Sequence, residues 1–582
     1  MSYNLFLTKI HEDQYFLPNK LFLGQWSISD EVRTSNLGNY KIVDYHWDNS
    51  EKLDKDYEYL YDLYYELLKS LRISLNNIHK LDKSERYWQL VIGSWLEMFL
   101  VCAFDRWECV SNAFTKYDIS NVYSFKSDYM KHIISDLSEF HRLTQTQSWN
   151  NFLITEIIKF KKISNINFKE NKNYFIETKK KNYQSNKFSK KKNLFFSFFD
   201  NLARFIQKKP EVILYQTYFK KKDNLLLFAK TKTLPRLYFD FEKKIDLNSP
   251  SESREIFDLD FKSKNNFEKF LKNYLFKFMP IAYLEGFKKI KDYCENIITK
   301  PKLVISATGH INDVFSHWVA QNIDEGTNYF IAEHGGCIED TAKFDTYMKK
   351  SDCFLSWNHS DKEKVFQISP RFYTKKIDQK NINKGDKIYI ILAGNHLYNF
   401  IAQYALKSGQ IINTYNSLKE LKTLPQKIKD NLKFRPHPGS HGWAMEKRVK
   451  VDFGDEALCK YEKIDDSFSK AKLLINIDFQ TAFYESMHSQ KPVVVFADRK
   501  LTKNMNPKIR RLFEKFIEQK IIINNIEDLK LHLQSIWENP LKWWNSDQIK
   551  VLRNEFSVLC SRENNKNFIE EIITLKKNYA KK

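Results

Sequence analysis

The sequence predicts an α/β protein whose parallel sheets are covered by helices on both faces. Three observations carry this. From Lys302 onward, short apolar runs alternate with helical stretches, the texture of βαβ units. Ahead of them lie two long segments with apolar residues at spacings of three and four, the mark of helices. The 582 residues, 42% of them hydrophobic and 15% aromatic, suffice for several cores at roughly 100–200 residues per domain.

The elements follow in order. Asn4 to Ile10 predicts a first strand. Lys20 to Trp26 and His46 to Asn49 read as loops after short strands. Asp54 to Leu81 predicts a helix, through Leu60, Leu63, Leu67, Leu68 and Leu71. Arg86 to Cys109 predicts a second, mostly buried helix with Trp88, Leu90, Trp95 and Leu96. The N-terminal portion is therefore expected to be largely helical after a few strands. A Lys/Asn-rich stretch, Lys159 to Lys192, interrupts it. Phe195 to Ile206 is apolar, and Leu237 to Phe278 is mixed and helix-biased. Strands are then predicted at Leu303–Ser306, Tyr329–Ala332 and Cys353–Trp357, with a helix over Asp313–Gln321. Lys376 to Lys387 carries no apolar run and reads as an interdomain linker. Beyond it, strands are predicted at Ile388–Leu392, Leu432–Phe434, Leu473–Ile477 and Val493–Phe496, with a helix opening at Asp478. Ile549 to Lys577 predicts a helix that packs back across the linker. The chain thus divides into 1–375, 388–548 and 549–582.

Composition excludes several classes. Gly and Pro are scarce (14 and 13), which rules out collagen-like and low-complexity architectures. Seven Cys with no pairing pattern rule out a disulfide scaffold and fit a reducing cytoplasm. Met1 to Leu7 lacks the charged and apolar regions of a signal peptide. The most apolar stretch, Trp88 to Ala103, is broken by Gln89 and Glu97 and falls short of the ~20 apolar residues of a span. A soluble, cytoplasmic protein is expected. The formal charge of +22 fits nucleic acid, anionic membrane or anionic substrate. Much of it sits in Lys159–Lys192, which reads either as a solvated insertion or as a patch touching anionic lipid at the inner face of the membrane. No C2H2, RNP or KH signature points to nucleic acid.

Ligands of open α/β sheets bind outside the carboxyl ends of the strands. Polar residues cluster at four such ends: Glu333-His334-Gly335-Gly336, Gly394-Asn395, Arg435-Pro436-His437-Pro438 and Asp478-Phe479-Gln480-Thr481. Two prolines stiffen the turn that presents Arg435 and His437, donors suited to a phosphate. Thr481 and the amides of a helix start make an anion site, and Glu485, further along the helix, suits ribose hydroxyls. Asp478 also suits an N-cap. The glycines after His334 allow close approach of a ligand. His334 is a candidate to stabilise a leaving phosphate, and Glu333 to act as base. Gly24-Gln25-Trp26 and His46-Trp47-Asp48 carry the indole, imidazole and carboxylate of a sugar-acceptor site, or of a polar core. There is no P-loop, nucleophile elbow or close His/Cys metal set, and no clear Asp-x-Asp metal motif at a strand end. Phosphate stabilisation without a metal or cofactor is expected.

At these residues the chain resembles the transferases of bacterial surface-glycan and nonulosonate gene clusters. The resemblance rests on Leu23-Gly24-Gln25-Trp26, His46-Trp47-Asp48, Arg86-Tyr87-Trp88, Gly93 to Leu96, Asp105-Arg106, Glu333 to Gly336, Arg435 to Pro438, and Asp478 through Ser486. It spans nearly the whole chain. The C-terminal half is similar to GT-B glycosyltransferases, including those using CMP-activated ulosonic acids such as Kdo or sialic acid. The resemblance implies a GT-B-like fold, two Rossmann-like domains facing a cleft, with a largely helical N-terminal elaboration on the acceptor side. In such enzymes a His-Pro pair contacts the CMP phosphate, which maps onto His437-Pro438. Gly394, Asn395, Arg435, Asp478, Thr481, Glu485 and Ser486 would hold the nucleotide, Trp26, His46, Trp47 and Asp48 the acceptor. The related motif usually carries Gln before His-Gly-Gly, where this chain has Glu333. Asp324-Glu325-Gly326 resembles the acidic base motif of bacterial sialyltransferases, at a place where a solvated turn is expected. The implied function is transfer of a sugar from a nucleotide-linked donor to a glycan or lipid-linked acceptor. A CDP-glycerol-type polyol-phosphate transferase and a non-catalytic basic binding protein are the alternatives.

Overall fold

The computed structural model describes residues 2–28, 37–125, 132–171, 202–203, 205–207, 209–236, 239–247, 254, 259–297, 300–336, 346–370, 385–400, 406–407, 409–439, 441–461, 463–502, 505–562 and 568–579. Most of the Lys-rich stretch and of the expected linker therefore lies outside the described residues.

Three five-stranded sheets, all parallel, form the framework. The first holds β1 (Tyr3–Phe6), β2 (Lys20–Phe22), β3 (Tyr40–Ile42), β4 (Ile119–Phe125) and β5 (Asn167–Asn171), in the order β3-β2-β1-β4-β5. The second runs β10-β9-β8-β7-β6, from β6 (Val212–Tyr215), β7 (Leu303–Ser306), β8 (Asn328–Ala332), β9 (Cys353–Ser356) and β10 (Val365–Gln367). The third, from β11 (Lys387–Ile391), β12 (Leu432–Arg435), β13 (Ala471–Asn476), β14 (Val493–Phe496) and β15 (Ile522–Ile523), runs β12-β11-β13-β14-β15. The fold is thus α/β and Rossmann-like in its parts. The N-terminal portion carries a sheet of its own, where the periodicity predicted mostly helix.

Two helices fill the space between the first and second sheets. α1 (Ser50–His79) is capped by Asn49, whose side chain accepts from the amides of Glu51 and Lys52. α2 (Glu85–Lys116) is capped by Ser84 and is apolar all round. Among the described residues it is the one helix long and apolar enough to cross a membrane. Most of its apolar window, 89%, is buried inside the protein, as in a core helix packed on every side.

The second sheet belongs to two cores at once. Val304, Tyr329 and Ile331 pack with α1 and α2, whereas Leu303, Ile305, Phe330 and Ala332 pack into the core that includes the third sheet. Alternate residues point to opposite faces, and both faces are covered, so the strands read as unbroken apolar runs. Helices α3 (Asp547–Cys560) and α4 (Phe568–Tyr579) return from the third sheet to the second. The Gln367 side chain donates to the carbonyls of Val558 and Leu559, and Lys230 pairs with Glu570 at 2.7 Å.

Candidate active site between the second and third sheets

The third sheet has the strand order of a doubly wound fold, and its direction of growth reverses between β11 and β13. A ligand crevice is expected outside the strand ends at such a switch. Residues 392–396 leave β11 there and residues 477–481 leave β13. Gln480 Nε2 donates to Asn395 Oδ1 across the opening at 3.4 Å. The turn after β12, Arg435 to Pro438, lies alongside. A Cβ at Gly394 would fall 2.4 Å from the His437 ring, so glycine is what lets the ring lie against the β11 turn.

His437 is exposed and has imidazole neighbours. The Gly439 amide donates to its Nδ1 at 3.1 Å, and His441 Nε2 lies 2.8 Å from the same atom. His441 Nδ1 meets His396 Nδ1 at 3.0 Å, and the His141 ring lies 6.4 Å from that of His396. Burial, then the neighbouring imidazoles, lower the pKa of His396 and His441 to about 4. Burial and then Arg435 lower that of His437.

The opposing wall is the end of β8. The Gly336 amide donates to Thr481 Oγ1 at 3.1 Å, and a Cβ at Gly336 would sit 2.6 Å from the Tyr484 ring. Tyr484 in turn donates to Asn358 Oδ1, after β9, at 3.0 Å. The Glu-His-Gly-Gly turn and the helix Thr481–His488 therefore meet directly. His334 opens to solvent beside Tyr218, their rings 6.0 Å apart, and the surrounding walls lower its pKa by desolvation.

Other expected site residues stand differently. Glu333 is 2% exposed. Its Oε2 accepts from the Trp357 amide at 2.5 Å and from Ser356 at 3.0 Å, so it braces β8 on β9 instead of facing an acceptor. Arg435 is buried and donates to the Tyr461 carbonyl (2.5 Å) and to Ser467 (3.2 Å), anchoring its turn from behind. Ser486 is fully buried, its hydroxyl spent on the Ala482 carbonyl, so no nucleotide reaches it. Asn395 Nδ2 donates to the Leu406 carbonyl at 2.6 Å. The helix cap position falls on Gln480, not Asp478. Asp478 Oδ1 accepts from the Gln480 amide at 3.2 Å, its Oδ2 is buried without a partner, and burial raises its pKa to about 6. Glu485 is half-buried on the same helix, and Pro438 is exposed. Asp324 and Glu325 are solvent-facing partners of Lys83 and Lys300, at the opposite end of β8.

Three of the four expected acceptor residues are core groups. Trp26 Nε1 donates to the Leu7 carbonyl (3.0 Å), Trp47 Nε1 to Asp56 (2.9 Å), and His46 Nε2 lies 3.1 Å from Asp105 Oδ1. All three are at most 4% exposed. Asp48 is exposed and accepts from Gln410 at 2.7 Å. It lines, with Trp47, Lys407, Gln410, Asp498 and Lys500, a cavity of about 270 Å³ at strand ends of the first and third sheets. Lys407 is 3% exposed, and burial lowers its amine to about 7.

His46, Asp105 and Cys109 bring three potential metal-ligand atoms within 4.8 Å of one another. The chemistry does not fit an ion. Arg106 already neutralises Asp105, and Tyr45 and His46 hydrogen-bond its Oδ1. Burial and then the Asp105 charge hold the Cys109 thiol far above its ordinary pKa, where a metal needs thiolate.

His441, His396, His141, Tyr218 and Lys407 are residues that sequence reasoning did not select. Only the four-residue step from His437 to His441, and His396 next to Asn395, signalled them; the others arrive from distant loops.

A profile of the LIC12162 family of transferases matches residues 3–574. No curated protein matches the chain. Among solved structures, a substituted form of the wall teichoic acid polymerase TagF soaked with CDPG is 12% identical. That match covers 68% of this chain and 99% of that one, with a TM-score of 0.32. A second substituted TagF is 11% identical over 67% of this chain and 97% of that one, also with a TM-score of 0.32. Likeness at that level carries no argument about chemistry. The family match, which runs through both walls of the crevice and nearly the full chain, does: the protein belongs to the LIC12162 family of transferases.

Proposed function

We propose that the chain is a glycosyltransferase that moves a sugar from a CMP-activated ulosonic acid to a glycan or lipid-linked surface-polymer precursor, at the inner face of the membrane. One observation carries this reading: the Glu-His-Gly-Gly turn meets the Thr481 helix start, beside the strand-order switch where His437 stands exposed. His437 and the amides at that helix start would receive the nucleotide phosphate, with Gly394 and Pro438 shaping the approach. Glu485 would reach the ribose. His334, neutral and open to the cleft, would take the acceptor hydroxyl proton, the role first assigned to Glu333. The cavity beside Asp48 and Trp47 would hold the acceptor, with Lys407, Gln410 and Lys500 as its polar groups.

Calorimetry with CMP tests the donor side. His437→Ala is expected to weaken binding about ten- to a hundred-fold, the loss of one hydrogen bond to a charged group. Equal affinity in both proteins counts against the assignment. Product analysis tests the reaction: a glycosidic linkage supports it, and a phosphodiester decides for polyol-phosphate transfer.

A further inference from the structure

The imidazole neighbours of His437 form an ordered chain. A backbone amide can only donate, so the Gly439 N–H bond makes Nδ1 of His437 a lone-pair acceptor. The neutral ring then carries its proton on Nε2. His441 presents Nε2 to the same Nδ1 at 2.8 Å; with the amide donating there, the contact is attractive only if His441 is an Nε2–H donor that shares the single Nδ1 lone pair with the amide. Its Nδ1 is then an acceptor, and His396, 3.0 Å away, must be the Nδ1–H tautomer. The amide and His441, sharing that lone pair, together set three protonation patterns in series. His437 Nε2 is left with no partner among the described residues, on an exposed ring.

Three features show that the arrangement is held in place. His441 sits at φ +45°, a left-handed conformation that costs a non-glycine residue energy and persists where its surroundings over-determine it. The rings of His396 and His441 cross at 87° with centroids 4.2 Å apart. The Arg435 guanidinium behind His437 and the titratable His141 ring beside His396 oppose protonation of the imidazole chain, as burial does. The rings make a relay of contacts and not a chelate. His441 uses its two nitrogens on opposite partners, and among the described residues the one group with three ligand atoms in mutual reach is His46, Asp105 and Cys109.

We propose that His441 and His396 are positioning residues that hold His437 as a fixed, neutral Nε2–H donor facing the anion side of the crevice. This rests on the proposed donor reading only for the choice of CMP as probe. A ring presenting an unprotonated Nε2 would repel a phosphate oxygen, and a freely flipping one would lose part of its binding energy to ordering. The chain removes both costs before the ligand arrives.

Two-bond 1H–15N correlation on the free full-length protein at pH 7 reads the tautomers directly. The expected result is Nε2–H for His437 and His441 and Nδ1–H for His396. His437 found as Nδ1–H, or as a mixture, overturns the proposal whether or not CMP binds. Substitution separates positioning from packing. His441→Gln places an amide nitrogen where Nε2 stands and should keep the His437 tautomer and CMP affinity within about threefold. His441→Asn tolerates the left-handed backbone and can keep the contact to His396, but drops the one to His437. With the Gly439 amide left as the one donor to His437 Nδ1, the tautomer should hold while the ring loosens and CMP binding weakens about tenfold. Gln and Asn variants that lose affinity equally would also overturn it. Failure of CMP to bind the unsubstituted protein would instead defeat the donor reading and leave the tautomer result to decide the chain.

Discussion

Arg106 is wholly buried and uses its guanidinium on three partners. Nε donates to Asn150 Oδ1 at 2.9 Å, one terminal nitrogen pairs with Asp105, and the other donates to the Tyr398 carbonyl at 2.9 Å. Trp26 covers its face, 5.0 Å from ring centroid to guanidinium carbon. Burial pushes the Asp105 carboxyl up, but Arg106 and the hydrogen bonds from His46 and Tyr45 hold it below its ordinary value. Arg106→Met keeps the bulk and strands the carboxylate. The expected cost is about 3–5 kcal/mol of stability, read by urea unfolding, with the Tyr398 segment loosened from the N-terminal part. A change under 1 kcal/mol would contradict the network. Trp26, His46 and Trp47 belong to this same region, which explains why their role was not legible in the sequence. Indole, imidazole and carboxylate make a sugar site or a satisfied polar core with equal ease. Composition names the groups, and burial chooses between the two.

The turns after β8, β11 and β12 act as units because glycine lets them touch. Gly394→Ala places a methyl 2.4 Å from the His437 ring, which must swing away. The ring is exposed, so stability should change little while CMP affinity falls about tenfold or more by calorimetry. Unchanged affinity would show that the ring position does not matter. Strand ends were the most legible elements: β7, β8, β9, β11, β13 and β14 are short apolar runs buried on both faces, and their boundaries follow the apolar residues. The first sheet was hard to read. β2 and β3 are only three residues each, and β5 is the polar run Asn-Phe-Lys-Glu-Asn. At that length no period can establish itself, and pairing to β1 and β4 supplies the structure.

Protonation links these sites to the stability of the folded chain. Six histidines are held well below the ordinary 6.5: His396, His441, His488 and His532 at about 4, His317 at about 3, and His310. Burial is the first cause in each, and neither nitrogen of His317 has a partner. Between about pH 6.5 and 4 the unfolded chain binds these protons and the folded chain does not, so stability falls as pH falls. Two carboxyls oppose this. Asp313 titrates at about 7 and Asp478 at about 6, so the folded state binds their protons first and gains stability on acidification. With six strongly lowered histidines against two strongly raised carboxyls, the melting temperature should drop steadily from pH 6.5 to 4 in scanning calorimetry. A rise over that window would show that the two carboxyls dominate.

The order of apolar runs and helical spacings was enough to establish the α/β class and to mark the strand ends that carry the candidate site, because those signals are local and follow from the alternation of side chains along a buried strand. The Glu-His-Gly-Gly, Gly-Asn, Arg-Pro-His-Pro and Asp-to-Thr turns were visible for the same reason. Which of their side chains face the cleft was settled by packing. Glu333, Arg435 and Ser486 turn into their own lobes to satisfy buried partners, while His334, His437 and Thr481 stay at the opening. The imidazole chain joins residues 396, 437 and 441, and the cavity joins residues 47 and 407. Contacts between residues so far apart depend on the order in which the strands cross, which no local pattern encodes.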